Sequence, residues 1–124
     1  MAKTVLSVDD SKSIRDMIGF TLEPNGYEVI GAGDGLEGLA ALSENKVSLV
    51  VCDLNMPNMN GIEMIKKVRE DRRFDGIPVV MLTTEAQKEK MLEAKEAGAA
   101  GWLVKPFNEE KLVAVVTKMI GAGQ

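Results

Sequence analysis

The chain has 124 residues, of which 45% are apolar and 27% charged, enough to build one independent core. Its net charge of −4 and aromatic content of 4% argue against nucleic acid as a direct partner, because phosphate would be repelled and bases would find no stacking platform. With no His and a single Cys, Cys52, the chain cannot hold an internal disulfide, an imidazole relay or a zinc ligand set.

The first apolar run, Val5-Leu6-Ser7-Val8, ends in Asp9-Asp10 and has the look of a buried parallel strand. Ser11 or Ser13 is placed to cap a helix whose stripe is Ile14, Met17, Ile18 and Leu22, and Pro24-Asn25-Gly26 stops it. Tyr27-Glu28-Val29-Ile30 is a short second strand, and Gly33-Asp34-Gly35 turns the chain. Leu36, Leu39 and Ala40 give the stripe of a second helix that ends near Ser43-Glu44-Asn45. The third strand, Val47 to Cys52, ends in Asp53. Its exit loop, Leu54 to Gly61, leads to a capping-box pattern at Asn60 and Glu63 and a stripe of Ile62, Ile65 and Val68. The charged run Arg69-Glu70-Asp71-Arg72-Arg73 is expected to be a solvated helix end. Pro78-Val79-Val80-Met81-Leu82 forms a fourth strand that ends in Thr83. Thr84 and Gln87 open a weakly amphipathic fourth helix over Met91, Ala94 and Ala97, closed by Gly98. Gly101-Trp102-Leu103-Val104 ends in Lys105-Pro106. Asn108 caps a last helix with the stripe Leu112, Val116, Met119 and Ile120, after which 121–124 should fray.

Repeated strand–helix units imply an α/β fold with parallel strands, right-handed crossovers and helices on both faces. One domain is expected over residues 1–124, with no output domain attached. No apolar run approaches the about 20 residues of a membrane span, and the start of the chain is too short for a signal-peptide core. The expected location is the cytoplasm, with no membrane partner.

In an open parallel sheet, ligands sit at the carboxyl ends of the strands. If the runs are neighbours, Asp9, Asp10, Asp53, Thr83 and Lys105 converge on one rim. Crowded carboxylates repel one another, and a hard divalent cation relieves that repulsion. Mg²⁺ suits such a site because it takes few carboxylates and keeps waters and phosphate oxygens. No Walker motif is present, and the glycines of Gly31-Ala32-Gly33-Asp34-Gly35 follow the wrong strand for a dinucleotide fingerprint. The chemistry left is covalent phosphorylation of a carboxylate, with Asp53 as nucleophile and Lys105 and the cation offsetting phosphoryl charge.

Taken in order, Val8-Asp9-Asp10, Asp53-Leu54-Asn55-Met56-Pro57-Asn58-Met59-Asn60-Gly61, Leu82-Thr83-Thr84 and Lys105-Pro106-Phe107 resemble the receiver domains of bacterial two-component response regulators, of the single-domain, CheY-like chemotaxis type. The resemblance covers essentially the whole chain. It implies a flavodoxin-like, doubly wound sheet of five strands with five helices, in the order 2-1-3-4-5 that CheY itself has. It makes Asp53 the phosphoacceptor, with Mg²⁺ on Asp10, Asp53 and the Asn55 carbonyl, and Asp9 acting through a bound water. Lys105 would contact the phosphoryl group and Thr83 would turn inward to it. Trp102 stands where the family commonly has a Tyr or Phe switch residue. Asn55 and Glu85 would flank the hydrolytic water and modulate phosphoryl lifetime.

The implied partners are a histidine kinase of the CheA-like kind, a downstream protein such as a flagellar switch or another effector, and a possible phosphatase. The implied activity is a phosphorylated signalling switch rather than an enzyme, acting on the surface of the fourth helix, fifth strand and fifth helix. Two neighbouring readings use the same residues: a phosphorelay intermediate that hands the group to a histidine phosphotransfer protein, and a Mg²⁺-dependent phosphatase with an aspartyl intermediate. Such phosphatases usually carry a second Asp two residues after the nucleophile, where this chain has Asn55. A flavin binder shares the sheet, but no aromatic pair is available to sandwich the ring.

Overall fold

The computed structural model describes residues 2–123 and, of Glu85, the backbone alone. Five strands, β1 (Thr4–Val8), β2 (Glu28–Ala32), β3 (Leu49–Asp53), β4 (Val79–Thr84) and β5 (Gly101–Lys105), alternate with five helices. These are α1 (Lys12–Leu22), α2 (Gly35–Glu44), α3 (Gly61–Glu70), α4 (Met91–Ala97) and α5 (Glu109–Ile120). The strands form one parallel sheet in the order β2-β1-β3-β4-β5, as the resemblance implied.

Alternate residues of each strand enter two separate cores. Leu6, Val8, Val50, Cys52, Val79 and Met81 pack with Leu42, Ile65, Val68 and Ala94 under α2, α3 and α4. Val5, Leu49, Val51, Val80 and Leu82 pack with Ile18, Leu22, Leu112 and Val116 under α1 and α5. Burying each Val or Leu side chain contributes about 1.5–3 kcal/mol, which offsets the repulsion stored among acids at the rim.

The helix starts follow local chemistry. Ser11, not Ser13, caps α1 by accepting from the Ile14 amide. Asn60 and Glu63 close both halves of a capping box at 2.9 and 3.0 Å. Asn108 accepts from the Lys111 amide at 2.8 Å to cap α5. Gln87 accepts from the Thr84 amide at 2.8 Å, but the turn this opens, Glu85–Lys90, is 3₁₀. The α-helix proper therefore starts later than the sequence pattern suggested.

Four further expectations are corrected. The second strand is displaced to Glu28–Ala32, and Tyr27 is instead buried, its hydroxyl donating to the Gly121 carbonyl at 2.6 Å. Leu36 and Ala40 face outward; α2 buries Gly35, Gly38 and Leu42. Gly38 is what allows this rotation, since a Cβ there would stand 2.8 Å from Met64 Cε and 3.0 Å from Val8 Cγ2. In the charged run, Arg69 turns inward and donates to the carbonyls of Ile77 at 2.8 Å and Gly98 at 3.2 Å, pinning the chain on either side of β4 and α4. The end of the chain is not frayed over 121–123: Lys3 Nζ donates to the Ile120 and Ala122 carbonyls, and Gly123 is buried. Gln124 lies outside the described residues. Among the described residues no helix is long and apolar enough to cross a membrane.

Candidate functional site

Asp9 and Asp10 follow the last residue of β1, Asp53 ends β3, Thr83 lies near the end of β4 and Lys105 ends β5. Because the order is β1-β3-β4-β5, these positions share one edge of the sheet. Asp9, Asp10 and Asp53 each bring a carboxylate oxygen within 4.8 Å of the others. Lys105 Nζ stands 3.1 Å from Asp53 Oδ1 and 3.4 Å from Asp9 Oδ2. Asp9 is fully buried and Asp53 nearly so, while Asp10 is exposed.

Asp9 is held from several directions. Its Oδ1 accepts from the Ser11 amide at 2.8 Å, its own amide donates to the Ala32 carbonyl at 3.0 Å, and its carbonyl accepts from the Arg15 guanidinium. Burial pushes the Asp53 carboxyl above the usual carboxylate range and Asp9 adds to this, while Lys105 opposes both. Burial alone would lower the Lys105 ammonium, but Asp53 and Asp9 outweigh it and hold the ammonium above the ordinary lysine value. The site is thus short of positive charge, and Lys105 is the cation it already contains.

The donor set fits Mg²⁺: hard oxygens only, with the carboxylates close enough to repel and with one of them open to solvent. Cys52, the neighbouring soft donor, is buried, and its thiol is pushed up by burial and by Asp53 and Asp9, so it is an inert packing group.

The Thr83 hydroxyl is buried and has no hydrogen-bond partner among the described residues. A buried hydroxyl without a partner costs about 1–3 kcal/mol. Thr83→Val is therefore expected to stabilise the unmodified chain by about 1 kcal/mol in urea denaturation. A loss of that size would show that the hydroxyl is already bonded in the resting protein. Trp102, opposite Met81 on β5, is 39% exposed and so remains open to solvent. Asn55 lies in the exposed loop after β3. The side chain of Glu85, assigned a role in hydrolysis, lies outside the described residues.

The structure brings together Asp9, Asp10, Asp53 and Lys105. It adds one residue that sequence reasoning missed: Arg15, whose reach back to Asp9 is set by its place one turn after the Ser11 cap.

An open parallel sheet with carboxylates, a lysine and a buried hydroxyl on its carboxyl rim defines a doubly wound domain with an acidic pocket whose oxygens suit a divalent cation. The model of the family described as "Response regulator receiver domain" matches residues 5–117, and the chain belongs to that family. It is 37% identical over 121 residues to a "Chemotaxis protein CheY homolog" of Campylobacter jejuni, covering 96% of this chain and 93% of that protein. It is 40% identical over 119 residues to "Chemotaxis protein CheY1" of Helicobacter pylori, covering 94% of this chain and 96% of that one. The solved structure of chemotaxis response regulator CheY4 of Vibrio cholerae superposes with a TM-score of 0.91 at 45% identity, covering 96% of this chain and 99% of that one.

Proposed function

We propose that the chain is a cytoplasmic phosphorylation switch that accepts a phosphoryl group from a histidine kinase on Asp53, serves chemotaxis, and passes its state on by contact with a downstream protein. The observation that supports this most directly is the Lys105 ammonium bridging Asp53 and Asp9 beside exposed Asp10, on the rim of a receiver fold. The relatives named for chemotaxis supply the pathway.

In this reading an Asp53 carboxylate oxygen attacks phosphorus in line. The phosphorus–nitrogen bond of the phosphohistidine breaks, and the imidazole leaves with the electron pair and takes up a proton. Asp10, Asp53 and the Asn55 carbonyl would hold Mg²⁺, with Asp9 acting through a water. When bound, the ion neutralises phosphoryl oxygens and orients them for attack. The protein mainly positions the groups. Water later cleaves the acyl phosphate, a step whose rate Asn55 and Glu85 would modulate.

Phosphorylation replaces one negative charge by roughly −1.5 to −2. Lys105 is drawn to the added charge, and Thr83 gains the partner that its hydroxyl lacks at rest. In this reading the segment after Thr83 carries the change. It leaves β4 through a 3₁₀ turn, Glu85–Lys90, into a helix of only seven residues. A kinase resembling the CheA type would supply the group, and a flagellar switch or other effector would read the α4–β5–α5 surface. A phosphatase could reset it.

Titration with Mg²⁺ and then acetyl phosphate tests this, with intact mass and fluorescence of Trp102, the one tryptophan, as readouts. A mass increase and a fluorescence change that both vanish in Asp53→Ala are expected. No mass increase would end the proposal. A mass increase without fluorescence change would remove Trp102 from the switch. Catalytic turnover of phosphate esters would mean a phosphatase instead.

A further inference from the structure

The loop between β3 and α3 holds a conformation that needs a reason. Asn58 has φ 68°, and it is the one non-glycine residue among those described with a positive φ. The Met59 amide donates to the Pro57 carbonyl at 2.7 Å, closing a three-residue turn around Asn58. Turns of this size with a positive central φ are rare and strained. Asn is among the few residues that tolerate the region, and strain of this kind persists only where surrounding contacts impose it.

Those contacts come from the far side of the rim. Asn58 Nδ2 donates to Asp34 Oδ2 at 2.8 Å. The other oxygen of Asp34 accepts from the Glu37 amide at 2.9 Å and caps α2. Asp34 thus spends one oxygen on its own helix and the other on the loop. The Glu37 amide and then the Asn58 amide hold its carboxyl below the usual range, so it is ionised at neutral pH. Beside it, Met59 lies over Gly35, where a Cβ would stand 2.9 Å from Met59 Cβ and Cγ. Further along, the Gly61 amide donates to the Leu54 carbonyl at 2.9 Å.

The topology says what this arrangement spans. Asp34 follows β2 and Asn58 follows β3, and the strand between them is β1, whose last residue, Val8, leads into Asp9-Asp10. The Asp34–Asn58 bond therefore acts as a strap between the loops that follow the two strands flanking β1. It fixes the loop that begins immediately after Asp53 and contains Asn55.

We propose that Asp34 and Asn58 are positioning residues for the cation site, holding the β3–α3 loop so that the Asn55 carbonyl faces the carboxylates of Asp10 and Asp53. This rests on the Mg²⁺ reading above. Neither side chain needs to touch the ion. Each acts through the backbone of residues 54–58. A strap that only held α2 would affect folding stability and leave cation affinity alone.

Isothermal titration calorimetry with magnesium chloride on the full chain separates the two. Asn58→Gly keeps the positive φ accessible and removes the amide. Asp34→Ser keeps a helix cap but is too short to reach Asn58. Each variant is expected to weaken Mg²⁺ binding by roughly tenfold, the scale seen when an outer partner of a metal site is lost. The double variant should be no weaker than either single one, because both cut the same strap. Dissociation constants within about twofold of the parent, with thermal stability lowered, would overturn the proposal and leave a purely structural tie. So would independent losses that multiply in the double variant. Asp10→Ala in parallel monitors the site itself. If the parent binds no Mg²⁺, the cation reading fails and the strap's role with it. If the parent binds through Asp10 and the strap variants bind equally well, only the strap proposal fails.

Discussion

Asp53→Asn is expected to make the resting chain more stable at neutral pH while removing its ability to accept a phosphoryl group. The stability change follows from the sign of the Asp53 shift. Burial and Asp9 raise its folded pKa above the unfolded value, against the pull of Lys105. A raised carboxyl favours folding when protonated. Its contribution is fully present below the unfolded value of about 3.9 and is lost as pH rises through the folded value. Denaturant midpoints of parent and Asp53→Asn should therefore lie closest in acid and separate above pH about 4. At neutral pH the gap should be about 1–2 kcal/mol in favour of the variant. Saturating Mg²⁺ should close it by stabilising the parent, because binding to the folded state alone adds stability. Phosphoryl acceptance from acetyl phosphate, read by intact mass, should fall by roughly a thousandfold or more, since an amide is not a nucleophile here. An Asn variant that is less stable than the parent across the whole pH range would show that Lys105 already satisfies the carboxylates.

Lys105→Met tests the opposite charge and has the larger cost. Lys105 is partly buried and pairs with both Asp53 and Asp9. Removing it leaves two buried carboxylates close together without the ammonium that bridges them. Breaking a buried pair by deleting one partner costs about 3–5 kcal/mol. Lys105 retains some exposure, so about 3 kcal/mol at neutral pH is the expected loss. Acid should recover much of it by protonating Asp53, and Mg²⁺ should recover it by supplying charge. Adding Asp53→Asn to Lys105→Met should restore more stability than the about 1–2 kcal/mol that Asp53→Asn gives alone, and the excess is the non-additivity expected of side chains in contact. Phosphoryl acceptance should fall by roughly a hundredfold, the scale of losing one donor to developing charge. An additive double variant would mean that the 3.1 Å contact has no energetic content in solution. In the parent, the raised Lys105 pKa makes the pair's contribution fully present below the ordinary lysine value, and it is lost as pH rises from there through the folded value.

The site and its failures of prediction have different physical origins. Asp9, Asp10, Asp53, Thr83 and Lys105 were legible because each ends an apolar run, and parallel sheets collect strand ends on one edge. Caps at Ser11, Asn60 and Asn108 were legible because a cap is a contact within three residues. The roles of Trp102 and Asn55 came from resemblance alone. In the structure the Trp102 indole is partly open to solvent and Asn55 lies in the exposed loop after β3.

By itself, the sequence determined the alternation of strands and helices, the polar residue at each strand end, and the absence of any imidazole chemistry. All three depend on periodicity, short-range capping or simple inventory. Only the tertiary structure decided that Leu36 faces out while Gly38 faces in, and that Arg69 reaches Ile77 and Gly98. It also decided that residues 121 and 122 are tied through Tyr27 and Lys3, and that Asn58 is strapped to Asp34. Each of these rests on groups brought together from distant parts of the chain. A helix stripe of weak contrast does not specify its own rotation, and a polar side chain does not reveal which remote carbonyl or carboxylate it will satisfy once water is excluded.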